Sequence, residues 1–519
     1  MGVRARRLAV LTCLFVPPAL HAQLAAVGVP AGVVRVDLDG SMEIWDHRWR
    51  DGTREPLAAD LTSPALGSDL LPTLADADAR VGRITGQSGY RLDLGALSSD
   101  AQAEATRGYM GLALGLTRKI TVFGRIPLVQ VRTEVHYAVQ PTPGADGGLN
   151  PGTASQEVFF QQFDASLAGL EARIAGGDFD GNPALKAQAQ STLQAGTALR
   201  DDLFGLLADP STLSPFVPIA TSPAGQAIDI RVTDLQATLA NDFGVSGFST
   251  TPSLPDALAT TEQLVAALSD FSGLGLRPGG SKVTFRGDAE AGLAFTLVDR
   301  WDRSGHHGGF RTAVEGLVRF PTGRLAQPDR VLGLGTGDGQ TDLEARITTD
   351  LGAGRWGLRA EGTYNRQLAA DYIFRVAPPT QPLAGLDRLS AVHRDPGDIV
   401  SLAVRPFFRL TPTFALQGLA TYWSRGADQV SYLTAADEIP GVDASVLAQD
   451  SKATASMLGF GVTYSSLGRL QPGARGLPID ASWSYERVVR STGGIVPDRH
   501  AMRARFRFYF GLFRRTEGR

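Results

Sequence analysis

The chain has 519 residues, a formal net charge of −3 at pH 7 and a single cysteine. Because it has no basic excess, nucleic acid is not an expected partner. The one cysteine, Cys13, lies in an N-terminal apolar run that we expect to be removed. Disulfides, thiolate catalysis and cysteine metal sites are therefore excluded for the remaining chain.

Residues 1–22 have the three parts of a secretory signal peptide. A positive region over 1–7 precedes an apolar run over 8–19, and Leu20-His-Ala22 is an acceptable cleavage site. No later stretch reaches the ~18 consecutive apolar residues that a transmembrane helix needs. We therefore expect the exported chain to cross a membrane with strands or not at all.

The first alternating segment covers residues 33–45. Val34, Val36 and Leu38 are apolar, whereas Arg35 and Asp37 between them are charged. Such alternation predicts a β-strand with one apolar and one charged face. About twelve segments of this kind occur in all, and the others lie near 107–117, 120–137, 282–298, 310–320, 341–351, 356–365, 398–410, 413–425, 453–466, 478–490 and 498–513.

The connection over 138–281 breaks the alternation. Phe159, Phe163, Leu167, Leu170 and Ile174 recur at helical spacing. Three further helix starts are predicted at Asn182-Pro183, Ser222-Pro223 and Pro255-Asp256 because each pairs proline with a capping residue. The sequence therefore predicts about four amphipathic helices, which would form either a cap over a barrel mouth or a plug inside it.

The last segment is the most aromatic. Phe506, Phe508 and Phe510 alternate with Arg505 and Arg507. A soluble sheet would bury the phenylalanines in a core, whereas a membrane barrel would turn them to lipid and the arginines to the lumen. Short connections at 118–119, 352–354 and 410–413 alternate with long polar ones at 46–106, 138–281, 374–397 and 428–452. That asymmetry favours an outer-membrane barrel with short periplasmic turns, and an even strand count places both termini in the periplasm.

These features predict an all-β membrane barrel of about twelve antiparallel strands with a helical extracellular insert between strands 3 and 4. The predicted divisions are a signal peptide (1–22), strands 1–3 (23–137), the insert (138–281), strands 4–12 (282–513) and a short tail (514–519). Tryptophans 45, 301, 356, 423 and 483 lie near segment ends, where interfacial aromatic belts are expected.

Two stretches resemble a known family. Gly111 to Val129 resembles a hairpin of Gram-negative outer-membrane barrels of the transporter type, and Phe320 to Arg324 with Leu332 to Asp342 is similar to a loop of the same group. Over about 107–137 and 282–513 the chain resembles the outer-membrane family linked to phenol meta-pathway degradation. The helical insert departs from the family pattern. The resemblance implies uptake of small, apolar or aromatic compounds.

The charged faces of the strands are the candidate functional residues. They would either pair and fill a narrow barrel or line a solute path and set its selectivity. Pairing of the last two segments about 491–498 would bring Glu486 beside Arg503 or Arg505. The lumen-lining candidates are Arg35, Glu43, Arg286, Glu290, Arg311, Glu315, Arg319, Glu344, Arg346, Arg359, Glu361, Glu486, Arg503, Arg505 and Arg507.

Catalytic and metal-binding motifs are not found. None of the six histidines after residue 22 stands in a motif beside a serine, which disfavours an outer-membrane hydrolase. The calcium-loop start at Asp178 lacks the required glycine and glutamate, because Pro183 and Ala189 occupy those positions. We expect no catalytic residue, metal or cofactor.

The expected function is passage of small-molecule solutes across an outer-membrane lipid bilayer, with the insert as lid or plug. The first alternative is a sealed barrel whose extracellular loops bind a ligand or partner. The second is a soluble periplasmic β-sandwich, in which a second sheet would cover the phenylalanines.

Overall fold

The computed structural model describes residues 27–271, 274–301, 308–470 and 476–512. The predicted signal peptide and the predicted tail lie outside these residues. Twelve long strands form the main sheet: β1 (Val33–Trp45), β2 (Ala96–Gly115), β3 (Ile120–Gln140), β4 (Ala289–Trp301), β5 (Gly309–Phe320), β6 (Asp342–Ala353), β7 (Trp356–Gln367), β8 (Ile399–Arg409), β9 (Phe414–Arg425), β10 (Ala453–Ser465), β11 (Ile479–Thr492) and β12 (His500–Gly511).

The sheet closes on itself. Each strand pairs antiparallel with its neighbours in sequence, and β1 pairs with both β2 and β12. A further stretch, Ser281–Arg286, precedes β4 and pairs with the outer half of β3, so the two are halves of one broken strand. The predicted twelve-stranded antiparallel barrel is confirmed. Closure leaves no unpaired sheet edge, which is the requirement for strands that cross lipid.

The outer face of the barrel is apolar. Large side chains such as Met110, Leu128, Leu293 and Phe506 are exposed by 65%, 61%, 57% and 47%. The residues between them alternate to the inside and are more buried. A continuous exposed apolar belt on a closed barrel faces hydrocarbon rather than water, because soluble monomers rarely expose patches of this extent. The protein is an outer-membrane β-barrel.

The two ends of the barrel differ as predicted. Short connections over 116–119, 354–355 and 410–413 lie at one end, together with the start of β1 and the end of β12. The connections at the other end carry nearly all the additional structure. Two strands extend beyond the belt at that end, since β2 begins at Ala96 rather than near 107 and pairs with β3 out to Gln140. We call this outer part of β2 and β3 the extended hairpin (residues 96–106 and 130–140).

Five α-helices lie in the long connections: α1 (Ala75–Thr85), α2 (Glu157–Ala175), α3 (Pro183–Leu207), α4 (Pro223–Asn241) and α5 (Thr261–Asp270). The caps of α3 and α4 are those predicted, because Asn182 and Ser222 accept hydrogen bonds from backbone N–H groups three residues later. The start predicted at Pro255 is wrong. The last helix begins after Thr260, which forms a capping box with Gln263.

Helix α1 was not predicted, although Leu74, Ala77, Val81 and Ile84 recur at helical spacing. In the structure Val81 and Ile84 join the core that α2, α3 and α4 form around Phe163 and Leu203. A second core joins α5 to the inner face of the extended hairpin through Leu97, and it includes Leu71 and Leu74. In the part of the chain that the structure describes, every helix is too short or too polar to span a bilayer.

Smaller sheets complete the loops at this end. His47–Arg50, Thr53–Pro56 and Ile495–Pro497 form one, and Ala370–Arg375, Leu389–Asp395 and Gln429–Tyr432 form another. Gly147–Leu149 pairs with Phe216–Pro218 inside the helical region. These elements all belong to connections at the end of the barrel opposite the short turns.

Candidate functional site: the inner wall of the barrel

One side of the inner wall, formed by β4 to β8, is filled by ion pairs. Arg319 bridges Glu290 at 3.1 Å, Asp342 at 2.6 Å and Glu344 at 3.5 Å. We call this side the charged wall. Asp342 is fully buried. Because an isolated charge is costly to bury, this geometry is stable only while each partner stays in place.

Asp350 is the centre of a second group on the charged wall. Its carboxylate accepts from Arg311 Nε at 2.5 Å and from Arg359 Nε at 2.6 Å. Only 2% of the Asp350 side chain is exposed. Arg346 continues the network toward β7, with Glu344 at 2.6 Å, Glu315 at 3.4 Å and Glu361 at 4.0 Å. These side chains occupy the space that a wide pore would need.

The ion pairs continue across the closing seam between β12 and β1. Arg505 contacts Asp39 at 2.8 Å, and Arg507 contacts Asp37 at 3.4 Å. Arg35 also contacts Asp37, at 2.8 Å. At the outer end of β1, Glu43 lies 2.9 Å from Arg107 and 3.5 Å from Arg499. Arginines on β12 and carboxylates on β1 therefore compensate each other along most of the seam.

The structure places fourteen of the fifteen candidates on the inner face. The exception is Arg286, which is exposed on the outside and donates its Nε–H to the Thr322 carbonyl at 3.1 Å. The cause is a β-bulge, since the three residues 287–289 oppose only Ile126 and Pro127 of β3. Because of the extra residue, side chains of the half-strand Ser281–Arg286 that alternation would place inside the barrel point outside, and the reverse. Val283 and Phe285, expected to face lipid, turn inward instead.

The predicted contact of Glu486 with Arg503 or Arg505 is not found among the described residues. Glu486 lies opposite Ala501, and its carboxylate accepts from Thr421 Oγ1 at 3.2 Å. Arg503 instead lies opposite Ser484 on β11 and Ser41 on β1. Within the described residues Arg503 makes no salt bridge, and it is exposed to the lumen. The register thus leaves one inner arginine between two uncharged neighbours.

The adjoining side of the inner wall, formed by β9, β10 and β11, carries mostly small or neutral side chains, with Asp480 and Glu486 on β11 as charged exceptions. Gln417, Thr463, Ser482 and Ser484 lie there, and Gly461 contributes no side chain at all. We call this side the small-residue wall. A cavity of about 130 Å³ lies against it. Its charged lining residues are Arg359, Arg405, Arg503, Arg505, Arg507, Asp39, Asp480 and Glu486.

An apolar layer lies at the outer mouth, above the charges. Trp45, Ala105, Val129 and Val131 are buried together there, and Leu334 from the loop between β5 and β6 packs against them. Sequence reasoning assigned the valines to a strand but did not predict this layer. Trp45 had been expected in a lipid-facing belt. Of the five tryptophans expected there, Trp356 and Trp483 are exposed on the outer face, at 65% and 38%.

The segment before β1 lies inside the end of the barrel that carries the short turns. Val29 donates its N–H to Thr121 Oγ1 at 2.8 Å, and Arg35 donates to the Val27 carbonyl at 3.2 Å. The chain passes so close to Gly115 that a Cβ there would lie 2.1 Å from the Pro30 carbonyl oxygen. Residues 27–30 therefore lie against the inner face rather than away from the barrel.

The histidines show no catalytic arrangement among the described residues. His47 contacts Asp46, His393 contacts Asp371, and the ring of His500 lies 2.6 Å from the Tyr485 hydroxyl. His306 and His307 lie outside the described residues. In the same described residues, no group of three or more histidine, aspartate or glutamate side chains could hold a metal ion.

No family model matches the chain. No curated protein matches it. Among solved structures, an outer membrane channel from Pseudomonas putida F1 aligns over 95% of this chain and 99% of its own, at 9% identity and a TM-score of 0.42.

Two other barrels align less well. The Pseudomonas putida toluene transporter TodX covers 93% of this chain and 90% of its own, at 14% identity and a TM-score of 0.25. The translocator domain of autotransporter NalP from Neisseria meningitidis covers 92% and 88%, at 9% identity and a TM-score of 0.28. The barrel assignment rests on the strand pairing of this chain itself.

Proposed function

We propose that the barrel passes small molecules across the outer membrane along the small-residue wall. The observation that carries this proposal is the cavity beside Ser482 and Ser484, in an interior that ion pairs otherwise fill. A barrel kept only for structure would gain by packing this space, since voids cost van der Waals contacts. Open space beside polar groups is what a solute path requires.

The apolar layer at the outer mouth supports solutes with an apolar part. Trp45, Val129 and Val131 offer a surface on which such a molecule loses water before it meets the charges. The family resemblance implies small apolar or aromatic compounds, and this layer fits that class. We expect no hydrolase activity from the chain.

We also propose that the helical region acts as a lid over the outer mouth and not as a plug in the lumen. The α5 helix packs on the inner face of the extended hairpin, where Leu264 and Leu268 share a core with Leu97 and Val135. The side-chain hydrogen bonds of α2 to α4 run to one another, to α1 or to their own connecting loops. This packing supports a position above the charged walls.

The test is the conductance of purified protein in planar lipid bilayers, full-length and lid-deleted. The chain offers a close junction for the deletion, because a Cβ on Gly148 would lie only 2.4 Å from the Ala257 carbonyl oxygen. Residues 149–256 can therefore be replaced by a short glycine linker, with Val81 and Ile84 of α1 changed to serine because their partners are lost.

We expect discrete conductance from the full chain and a larger one from the deleted chain. The barrel must first be shown to be folded by its heat-modifiable migration on unboiled gels. If neither folded protein conducts, transport is contradicted, and the sealed barrel whose loops bind a partner is favoured. Equal conductance of the two proteins would contradict the role of the helical region as a lid, but not the transport function.

A further inference from the structure

Arg503 is the one cavity arginine that makes no salt bridge among the described residues, and its charge acts on the carboxylate of Glu43 only from beyond contact distance. Arg505 is bound to Asp39 at 2.8 Å, and Arg359 to Asp350 at 2.6 Å. Of the other two, Arg405 contacts Glu361 and Arg507 contacts Asp37, each at 3.4 Å. The free guanidinium of Arg503 therefore faces the cavity with its hydrogen-bond donors available.

The nearby carboxylates are already engaged. Glu43 is bound between Arg107 and Arg499, and only 4% of it is exposed. Glu486 accepts from Thr421, and Asp480 accepts from the Tyr509 hydroxyl at 2.8 Å. Five arginines and three carboxylates line the cavity, and three of these arginines are bound to carboxylates outside the lining. Arg503 is therefore the cation of the cavity that no adjacent carboxylate binds.

The register keeps Arg503 free. Its direct neighbours across the two adjoining strands are Ser41 and Ser484, which carry hydroxyl groups and no charge. One step further along β12, Arg505 lies beside Asp39 on β1, and Arg507 lies beside Asp37. The β1 carboxylates nearest the periplasm are thus matched with arginines, and the match stops at Arg503.

From this we propose that the cavity binds and passes small organic carboxylates, with Arg503 as the residue that contacts the carboxylate. This inference rests on the proposed transport function and names its substrate class. A guanidinium presents paired N–H donors that match the two oxygens of a carboxylate. The apolar layer at Trp45 and Val131 would receive the hydrocarbon part before the carboxylate reaches Arg503.

The size of the cavity limits the solute. Sites for drug-sized ligands enclose roughly 300–1,000 Å³. The cavity at Arg503 has about 130 Å³. The site therefore suits a carboxylate with one ring or a short chain, and benzoate is a suitable probe. Benzyl alcohol has a similar shape without the charge and serves as the neutral comparison.

The experiment measures ion selectivity and benzoate block of the full-length protein in planar bilayers. Under a potassium chloride gradient, we expect a reversal potential that shows preference for chloride over potassium. Benzoate added on the outer side should reduce the chloride current, and benzyl alcohol should not. Arg503→Gln should weaken the benzoate block by about tenfold. Arg503→Glu should shift the selectivity toward potassium.

The matched control is Arg487→Gln. Arg487 belongs to the neighbouring strand β11 and is exposed. This change removes the same charge from the protein and should leave both selectivity and block unaltered. A conducting wild type that prefers potassium, or a benzoate block unaffected by Arg503→Gln, would overturn the carboxylate site while leaving transport in place.

If the wild-type protein does not conduct, transport is refuted, but the carboxylate site at Arg503 is not yet tested. In that case, benzoate binding to the detergent-solubilised full chain is measured by calorimetry. Binding that Arg503→Gln abolishes, with Arg487→Gln unchanged, would retain the carboxylate site in a sealed barrel. No binding to the wild type would overturn it.

Discussion

The charged wall and the small-residue wall are built from strands of similar length, 11 to 14 residues, yet one fills the lumen and the other leaves it open. On β4 to β8, long arginines reach acids such as Asp342 and Asp350, and their stems and head groups fill the interior. On β9 to β11, residues such as Ser482 and Ser484 end close to the backbone and leave a cavity. Side-chain length at inward positions thus decides where the lumen is open.

The difference also separates stability from function. A buried ion pair contributes little net stability, but it is strongly destabilising when one partner is removed. The charged wall should therefore be sensitive to single substitutions. Substitutions in the small-residue wall should change the free energy of unfolding little. They should instead change the passage of solutes.

The largest effect is expected from Asp350→Asn in the charged wall. This change leaves Arg311 and Arg359 without their shared carboxylate, so we expect the free energy of unfolding to fall by about 3–5 kcal/mol. Urea unfolding in detergent, followed by tryptophan fluorescence, measures it. Glu134→Gln removes an exposed pair with Arg132 and should cost about 1 kcal/mol or less. Similar losses in both variants would contradict a charged wall held by buried pairs.

The second largest effect is expected from Ser484→Phe, a substitution on the small-residue wall that fills the cavity. The ring would occupy the cavity, so we expect single-channel conductance to fall to less than half of the wild-type value, while the barrel stays folded. Leu458→Phe is the control, because Leu458 lies on the outer face of β10 and is 53% exposed. Unchanged conductance in Ser484→Phe would place the solute path elsewhere.

A pH effect is expected in the loop over 321–341, where the charged wall ends. Burial, followed by the charges of Asp342 and Asp288, raises the pKa of Asp338 to about 6, and a hydrogen bond with Gln340 and the charge of Arg319 only partly oppose this. An acid whose pKa is raised on folding stabilises the folded loop when protonated. This stabilisation is present below the ordinary pKa of 3.8 and is lost as the pH rises to about 6.

Amide hydrogen exchange tests this expectation. After correction for intrinsic rates, we expect the loop to be better protected at pH 5 than at pH 7. Asp338→Asn should make the protection nearly independent of pH, because the carboxylate that repels Asp288 and Asp342 is gone. A variant that retains the wild-type dependence would assign the effect to another group.

The smallest effect is expected from Ser482→Ala on the small-residue wall. Ser482 lines the cavity and has no buried charged partner to lose, so the free energy of unfolding should change by less than about 0.5 kcal/mol. The urea experiment used for Asp350→Asn measures it. A loss comparable with that of Asp350→Asn would show that the two walls do not differ in the way described.

Much of the barrel was predictable because alternation is a local property. Phe506 and Arg505 must face opposite sides of a strand whatever its partners are, and the same holds for each of the twelve strands. Local chemistry likewise predicted the caps at Asn182 and Ser222. The helix α1 carries the same kind of local signal at Ala77, Val81 and Ile84 and was overlooked.

The facing of Arg286 was mispredicted for a different reason. Nothing in the residues themselves shows that 287–289 oppose only two residues of β3. A bulge is a property of a strand pair, so a single strand carries no signal for it except the glycine at 287.

The sequence alone determined that this chain forms a membrane barrel with apolar residues outside and charges inside, because period-two alternation and turn chemistry act within each segment. Only the tertiary structure decided which charges meet. Register places Arg505 beside Asp39 and Arg503 between two serines, and a shift of two residues would have exchanged those environments without altering the alternation. The cavity and its free arginine follow from the register between strands, including the pairing of β1 with β12 across almost the whole sequence.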